Sequence, residues 1–151
     1  MIYVDMDGVI ADFNAWAAQY IDTADQGAYM RLFINNYKSC FRDLAPIVSG
    51  LKLLATLKDA CILTAMPNHS EFIATGKELG FSEEELERRY NVMKRNKMDW
   101  LSKYVGDIPV IIVPTRKDKA KFAAGNILID DYHANVDDWR RNGGCGVVFT
   151  A

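Results

Sequence analysis

Histidine is scarce in this chain, with two among 151 residues, and cysteine is nearly as rare, with three. Cys40, Cys61 and Cys145 are odd in number, far apart and without a CxxC pair, so neither a zinc site nor a disulfide framework is indicated. Basic residues hold no majority either. The formal net charge is -2, whereas binding along a nucleic-acid backbone shows as a basic excess. No apolar stretch approaches the roughly 20 residues that span a bilayer, and no charged-then-apolar leader precedes the first apolar run. Repeats and low-complexity segments are missing as well. These absences point to a cytoplasmic protein in a reducing compartment, with neither a nucleic-acid polymer nor a membrane as partner.

What is present is an ordinary globular composition, 50% hydrophobic and 25% charged, long enough for one real core with little to spare. Short, continuously apolar runs recur at Ile2 to Val4, Ala60 to Leu63, Val110 to Val113, Ile127 to Ile129 and Gly146 to Phe149, as strands buried on both faces of a parallel sheet should. Helical patterns separate them, which predicts an α/β fold of three layers. The interval 12–48 breaks the rhythm. It is too long for one crossover helix and reads as two or three short helices rich in aromatics, a small helical cap inserted after the first strand. The expected division is a core of 1–11 and 49–151 with the cap 12–48 set into it. Ser49 is placed to N-cap a helix ending near Leu57. Helices are also expected from Asn68 to Leu79, from Ser82 to Tyr90 with Ser82 and Glu85 as a capping box, and from about Lys94 to Tyr104 before Gly106. His69 and His133 read as helix-start residues.

Two carboxylates, Asp5 and Asp7, leave the first strand one residue apart and enter a glycine turn. Residues two apart on a strand face the same side, so the pair should converge, and carboxylates that close repel unless a cation or a shared proton intervenes. Three further polar groups stand at predicted strand ends: Thr64 after Cys61-Ile62-Leu63, Lys119 in the loop after Val113, and Asp130-Asp131 after Ile127-Leu128-Ile129. Open parallel sheets build their sites at those ends.

This set resembles the four motifs of the haloacid dehalogenase superfamily of phosphohydrolases: DxD, a strand-ending Ser or Thr, a Lys, and a strand-ending acidic pair. The segments DMDGVIADF (5–13), DLAP (43–46), TAMP (64–67), NKMDWL (96–101), TRKDK (115–119), LIDDY (128–132) and GGCGVVF (143–149) are, more narrowly, similar to patterns of the 5'(3')-deoxyribonucleotidase family. The resemblance implies a Rossmann-like three-layer core and hydrolysis of phosphate monoesters, most naturally (deoxy)nucleoside monophosphates. It casts Asp5 as nucleophile, forming an aspartyl-phosphate, and Asp7 as acid and base, a role that needs a raised pKa. Thr64 and Lys119 would bind the phosphoryl group. Lys117 rivals Lys119, because the loop is one residue longer than the family's TRDK, but Asp118-Lys119 preserves the family's Asp-Lys pair. Asp5, the Asp7 carbonyl and Asp130 would hold a metal, with Asp131 behind them. Phe13 and Phe41 match base-pocket aromatics, and Lys97 and Arg116 match basic residues near the phosphate. Ala65 and Tyr132 replace a Ser and an Arg of the family pattern, so the phosphatase chemistry transfers more firmly than the nucleotide preference.

Residue chemistry leads the same way. A phosphate dianion repels carboxylates, so this site needs a divalent cation, and Mg2+, hard and oxygen-seeking, suits an all-carboxylate set poor in histidine. Two other readings stay open: a phosphatase for another small phosphorylated metabolite, and a non-catalytic binding module on the same fold. Both a monomer and a homodimer are compatible with the sequence.

Overall fold

Five short strands, β1 (Ile2–Val4), β2 (Ala60–Ala65), β3 (Val110–Val113), β4 (Ile127–Asp130) and β5 (Cys145–Val148), make one all-parallel sheet in the order β3-β2-β1-β4-β5. The structure is a computed structural model and describes all 151 residues. All five predicted strands are present; β2 and β4 run on to include Ala65 and Asp130, and β5 starts one residue early at Cys145. The chain builds the sheet outward from β1 in one direction and then in the other. Right-handed crossovers therefore put the connecting segments on opposite faces, which gives a Rossmann-like, three-layer α/β arrangement.

The pleat decides what each face buries. Tyr3, Cys61, Leu63 and Leu128 point to one side, where Ala123 and Trp139 close over them. Trp139 belongs to α6 (His133–Arg141). Its ring meets Tyr3 edge-on at 5.7 Å between centroids, and its Nε1 donates to the Asn126 carbonyl at 3.1 Å. On the other side Val4 and Ile62 are buried, along with Val9, Ile10 and Leu54. Leu54 lies on α3 (Val48–Thr56). Gly50 lets α3 approach the loop after β1, because a Cβ there would overlap the Val9 carbonyl. The helix starts one residue before Ser49, with Ile47 at the cap position and no side-chain cap bond. Ser49 therefore lies inside the first turn and does not cap it, and the chain enters the helix with the Ile47 N–H bonded to the Ile10 carbonyl, 2.8 Å.

Contacts divide the chain into two units, one of 1–12, 46–66 and 107–151, the other of 13–45 and 67–106. The first holds the sheet with α3 and α6. The second holds α1 (Phe13–Ala18), α2 (Tyr29–Asn35), α4 (His69–Glu78) and α5 (Glu83–Val105). This grouping differs from the expected division, in which 12–48 stood alone as the cap and all of 49–151 belonged to the core. The reason is packing: α4 and α5 lie against each other and against α2, with Phe72 and Tyr90 rings 5.2 Å apart and Gly76 flush against Leu86.

The two helices expected from Ser82 and from Lys94 are one helix of 23 residues. Ser82 does cap it, its hydroxyl accepting from the Glu85 N–H at 3.1 Å. Glu83, Glu84 and Glu85 in the first turn and Lys103 in the last suit the helix dipole. His69 and His133 are the first residues of α4 and α6, as expected. No helix is long and apolar enough to cross a membrane.

Candidate functional site

The register places β1 and β4 side by side with Val4 opposite Ile129, and the ladder continues one step further through the Asp5 N–H to the Ile129 carbonyl, 2.9 Å. Asp5 and Asp130 therefore sit level on neighbouring strands, beside the point where strand order reverses. Crevices form at that place in open parallel sheets. Both side chains share the face of Tyr3 and Leu128, and both are buried.

Directly after Asp5 the chain turns sharply. The Met6 carbonyl accepts from the N–H groups of Val9, Ile10 and Ala11 at 2.9 to 3.2 Å, so β1 stops at Val4 and Asp7 lies in the turn. The turn, not the strand pleat invoked from the sequence, brings the two carboxylates close enough for Asp7 to add its charge to that felt by Asp5. Gly8 is required twice. Its φ is +86°, and a Cβ would collide with the Asp131 carboxylate. Gly8→Ala should lower stability by about 1–3 kcal/mol for the backbone strain alone. It should also displace Asp131. Denaturant unfolding checks the first effect; a loss smaller than about 0.5 kcal/mol would contradict the strained turn.

The loop after β3 supplies the cation. Asp118 accepts from the Thr115 N–H at 3.1 Å and from its hydroxyl at 2.9 Å, opening the 3-10 segment Arg116–Phe122. One turn of that segment points Lys119 inward while Lys117 stays exposed. Lys119 Nζ donates to Asp5 Oδ1 at 2.7 Å and to Asp130 Oδ2 at 3.0 Å. Of the two lysines left open by the sequence, Lys119 is the one against the acidic residues. Asp5 Oδ1 also accepts from the Met6 N–H at 2.8 Å, and Asp130 Oδ1 accepts from the Tyr132 N–H at 2.9 Å.

One ammonium does not balance this much negative charge. Single oxygens of Asp5, Asp130 and Asp131 lie within 4.8 Å of one another. Burial opposes the charge on Lys119, yet Asp5 and Asp130 outweigh it and keep the ammonium protonated well past its ordinary range. Burial first, and then the charge of Asp130, raise the Asp5 carboxyl well above its usual value despite Lys119. The same two causes push Asp131 up to about 6. An acid whose pKa is higher in the folded chain stabilises the fold below its unfolded pKa and loses that contribution as pH rises through the folded value. In EDTA the melting temperature should therefore fall between about pH 4 and about pH 6.5, and Mg2+ should restore it at the higher pH. A melting temperature that is level across that range and indifferent to Mg2+ would contradict the unbalanced cluster.

Those three carboxylates fit a divalent cation by their chemistry: hard oxygen donors, excess negative charge, and no histidine or thiol among them. The geometric set is Asp5, Asp130 and Asp131. It differs from the sequence expectation in bringing Asp131 forward to the cluster. Thr64 is fully buried near the end of β2, where its strand partner is Ile112 of β3.

The remaining candidates are placed otherwise. Arg116 is aimed at α6: Nη1 donates to Asn135 Oδ1 at 3.3 Å and lies 3.7 Å from Asp138, while the guanidinium stacks 5.2 Å from the Tyr132 ring. Phe13, Phe41 and Lys97 belong to the second unit. Phe13 is half-buried among the rings of Trp16, Tyr29, Phe33 and Phe41, at centroid distances of 5.7 to 6.3 Å. Phe41 is 2% exposed, with a left-handed φ of +65°. The Lys97 ammonium sits 4.3 Å from the centre of the Phe41 ring, a cation–π contact.

Asn135 was not a candidate from the sequence, yet it is buried and its Nδ2 donates to Asp130 Oδ2 at 3.1 Å. Its one signal there is a polar residue next to Val136, on a helix face whose period also includes Trp139. No protein-family model matches the chain, and no curated protein matches it.

Proposed function

We propose that this chain is a Mg2+-dependent phosphomonoesterase of the haloacid dehalogenase type, acting on a small phosphorylated substrate. The observation that carries the reading is Lys119 bridging Asp5 and Asp130 at the carboxyl ends of two adjacent parallel strands. That arrangement fixes the rotation of a carboxylate beside a positive charge in a buried site, as in-line attack on a phosphoryl group demands. The motif resemblance supports the same assignment.

In this reading Asp5 attacks phosphorus and the ester oxygen leaves with a proton from Asp7, giving an aspartyl-phosphate. Asp7 then takes a proton from water, the hydroxide attacks phosphorus, and inorganic phosphate departs with Asp5 restored. Lys119 and Thr64 hold phosphoryl oxygens through both steps. A bound Mg2+, held by Asp5 and Asp130 with Asp131 or the Asp7 carbonyl, would neutralise the phosphoryl charge.

For the leaving group we favour a (deoxy)nucleoside monophosphate, on the motif resemblance. The absence of paired cysteines agrees with a cytoplasmic setting. The test is phosphate release by the purified protein, with Mg2+ and with EDTA, across deoxyribo- and ribonucleoside monophosphates, sugar phosphates and an aryl phosphate. Metal-dependent preference for nucleotides is the expected result. Equal kcat/KM on sugar phosphates would retain the chemistry and discard the nucleotide, and silence on every compound would leave a binding module in its place.

A further inference from the structure

We propose that Asn135 is a positioning residue for Asp130: its side-chain amide, oriented by Arg116, holds the Asp130 carboxylate in the attitude in which it takes up a divalent cation. The proposal rests on the cation reading given above and adds to it a residue on α6 that touches neither substrate nor metal.

The amide stands between two groups of opposite need. Asp130 Oδ2 requires a donor and receives Asn135 Nδ2 at 3.1 Å. The Arg116 guanidinium requires an acceptor and finds Asn135 Oδ1 at 3.3 Å. Flipping the amide would set oxygen against carboxylate and NH2 against guanidinium, so both neighbours select the same orientation. Arg116 is itself held from two further sides, by the Tyr132 ring and by Asp138.

Asn135 is 7% exposed, between the fully buried Val136 and the turn that starts α6. A polar side chain in such a place destabilises unless it is hydrogen-bonded, and both ends of the Asn135 amide are bonded, its donor end to Asp130. The geometry therefore gives the amide a task at Asp130. That carboxylate is pulled by Lys119, which also bonds Asp5. Lys119 alone would let Asp130 rotate toward the ammonium. The Asn135 donor on the same Oδ2, with the Tyr132 N–H on Oδ1, fixes its plane. A neutral donor does this without adding a second positive charge that would repel the incoming cation. Partners that orient metal-binding side chains in this way are typically worth about 10–100-fold in metal affinity.

The experiment is calorimetric titration of the full chain with MgCl2, and with MnCl2 as a tighter-binding substitute, for the wild type, Asn135→Leu and Arg116→Gln. We expect the cation Kd to rise by about 10-fold or more in Asn135→Leu, and in the same direction by less in Arg116→Gln. A folded Asn135→Leu that binds the cation within twofold of the wild type, whatever its melting temperature, overturns the proposal by showing that the amide serves packing alone. A wild type that takes up neither cation overturns the cation reading, and the proposal with it, so the two failures are distinguishable. Should Asn135→Leu fail to fold, Asn135→Ser, which adds no volume and is too short to reach Asp130, is read against the same two outcomes.

Discussion

Asp5→Asn should reduce phosphate release by more than about 10³-fold, because the proposed reaction then lacks the group assigned to attack phosphorus. The fold should survive. The amide oxygen of asparagine can still accept from Lys119 and from the Met6 N–H, the two donors now on Oδ1. The exchange also removes a charge that burial and Asp130 both disfavour. The melting temperature should accordingly stay within a few degrees of the wild type, about 1 kcal/mol on a chain of this size. Side-by-side assays with Mg2+ decide the matter: a variant retaining more than about a hundredth of wild-type kcat/KM would remove Asp5 from the role of nucleophile.

Lys119→Met tests the other half of the site and should act on stability as much as on rate. Lys119 is 3% exposed and bonded to two buried carboxylates. Deleting one member of a buried ion pair typically costs about 3–5 kcal/mol, since the charge left behind has neither water nor partner. For a chain of this length that is about 6–20 °C in melting temperature. Mg2+ should return part of the loss by neutralising the same carboxylates, so the variant should show a larger Mg2+-induced rise than the wild type. Catalysis should remain depressed even with saturating cation, because phosphoryl oxygens lose a charged donor. Equal melting temperatures for variant and wild type in EDTA would mean that the ammonium does not balance Asp5 and Asp130.

Most of the sheet was legible because buried parallel strands leave a plain signal, a short apolar run with a polar residue at its end. Asp5 and Asp130 followed from that punctuation, whereas Lys119, six residues past Val113, is set above Lys117 by its resemblance to the family's Asp-Lys pair. The interruption expected inside α5 shows where the signal fails. Its buried stripe runs Leu86, Tyr90, Met93, Lys97, Trp100, Leu101, in good helical period and straight through 91–93, where the gap was expected, and one of its slots holds a lysine, which reads as solvent. Lys97 is nevertheless fully buried against the Phe41 ring, a tertiary contact invisible to periodicity. The grouping of 67–106 with 13–45 was hidden for a similar reason. It depends on contacts between segments remote in sequence, Asn96 Nδ2 on the Lys38 and Cys40 carbonyls and Trp100 Nε1 on the Leu44 carbonyl, which no local pattern announces. Asn135 escaped because a lone polar residue gains meaning only from the carboxylate and guanidinium that the fold sets on either side of it.

The position of β1 has a consequence for how the protein is made. The strand precedes the other four along the chain, yet it is the middle of the sheet, hydrogen-bonded to residues 60–62 on one side and 127–129 on the other. Pairings so remote in sequence are slow to close and leave an unpaired apolar edge in the meantime. Asp5 emerges from the ribosome before its partners: that carboxylate has no Lys119 until the third strand has been passed and no Asp130 until the fourth is complete. The acidic centre is thus assembled from segments remote in sequence, and a nascent chain stopped before Asp130 holds Asp5 without its centre.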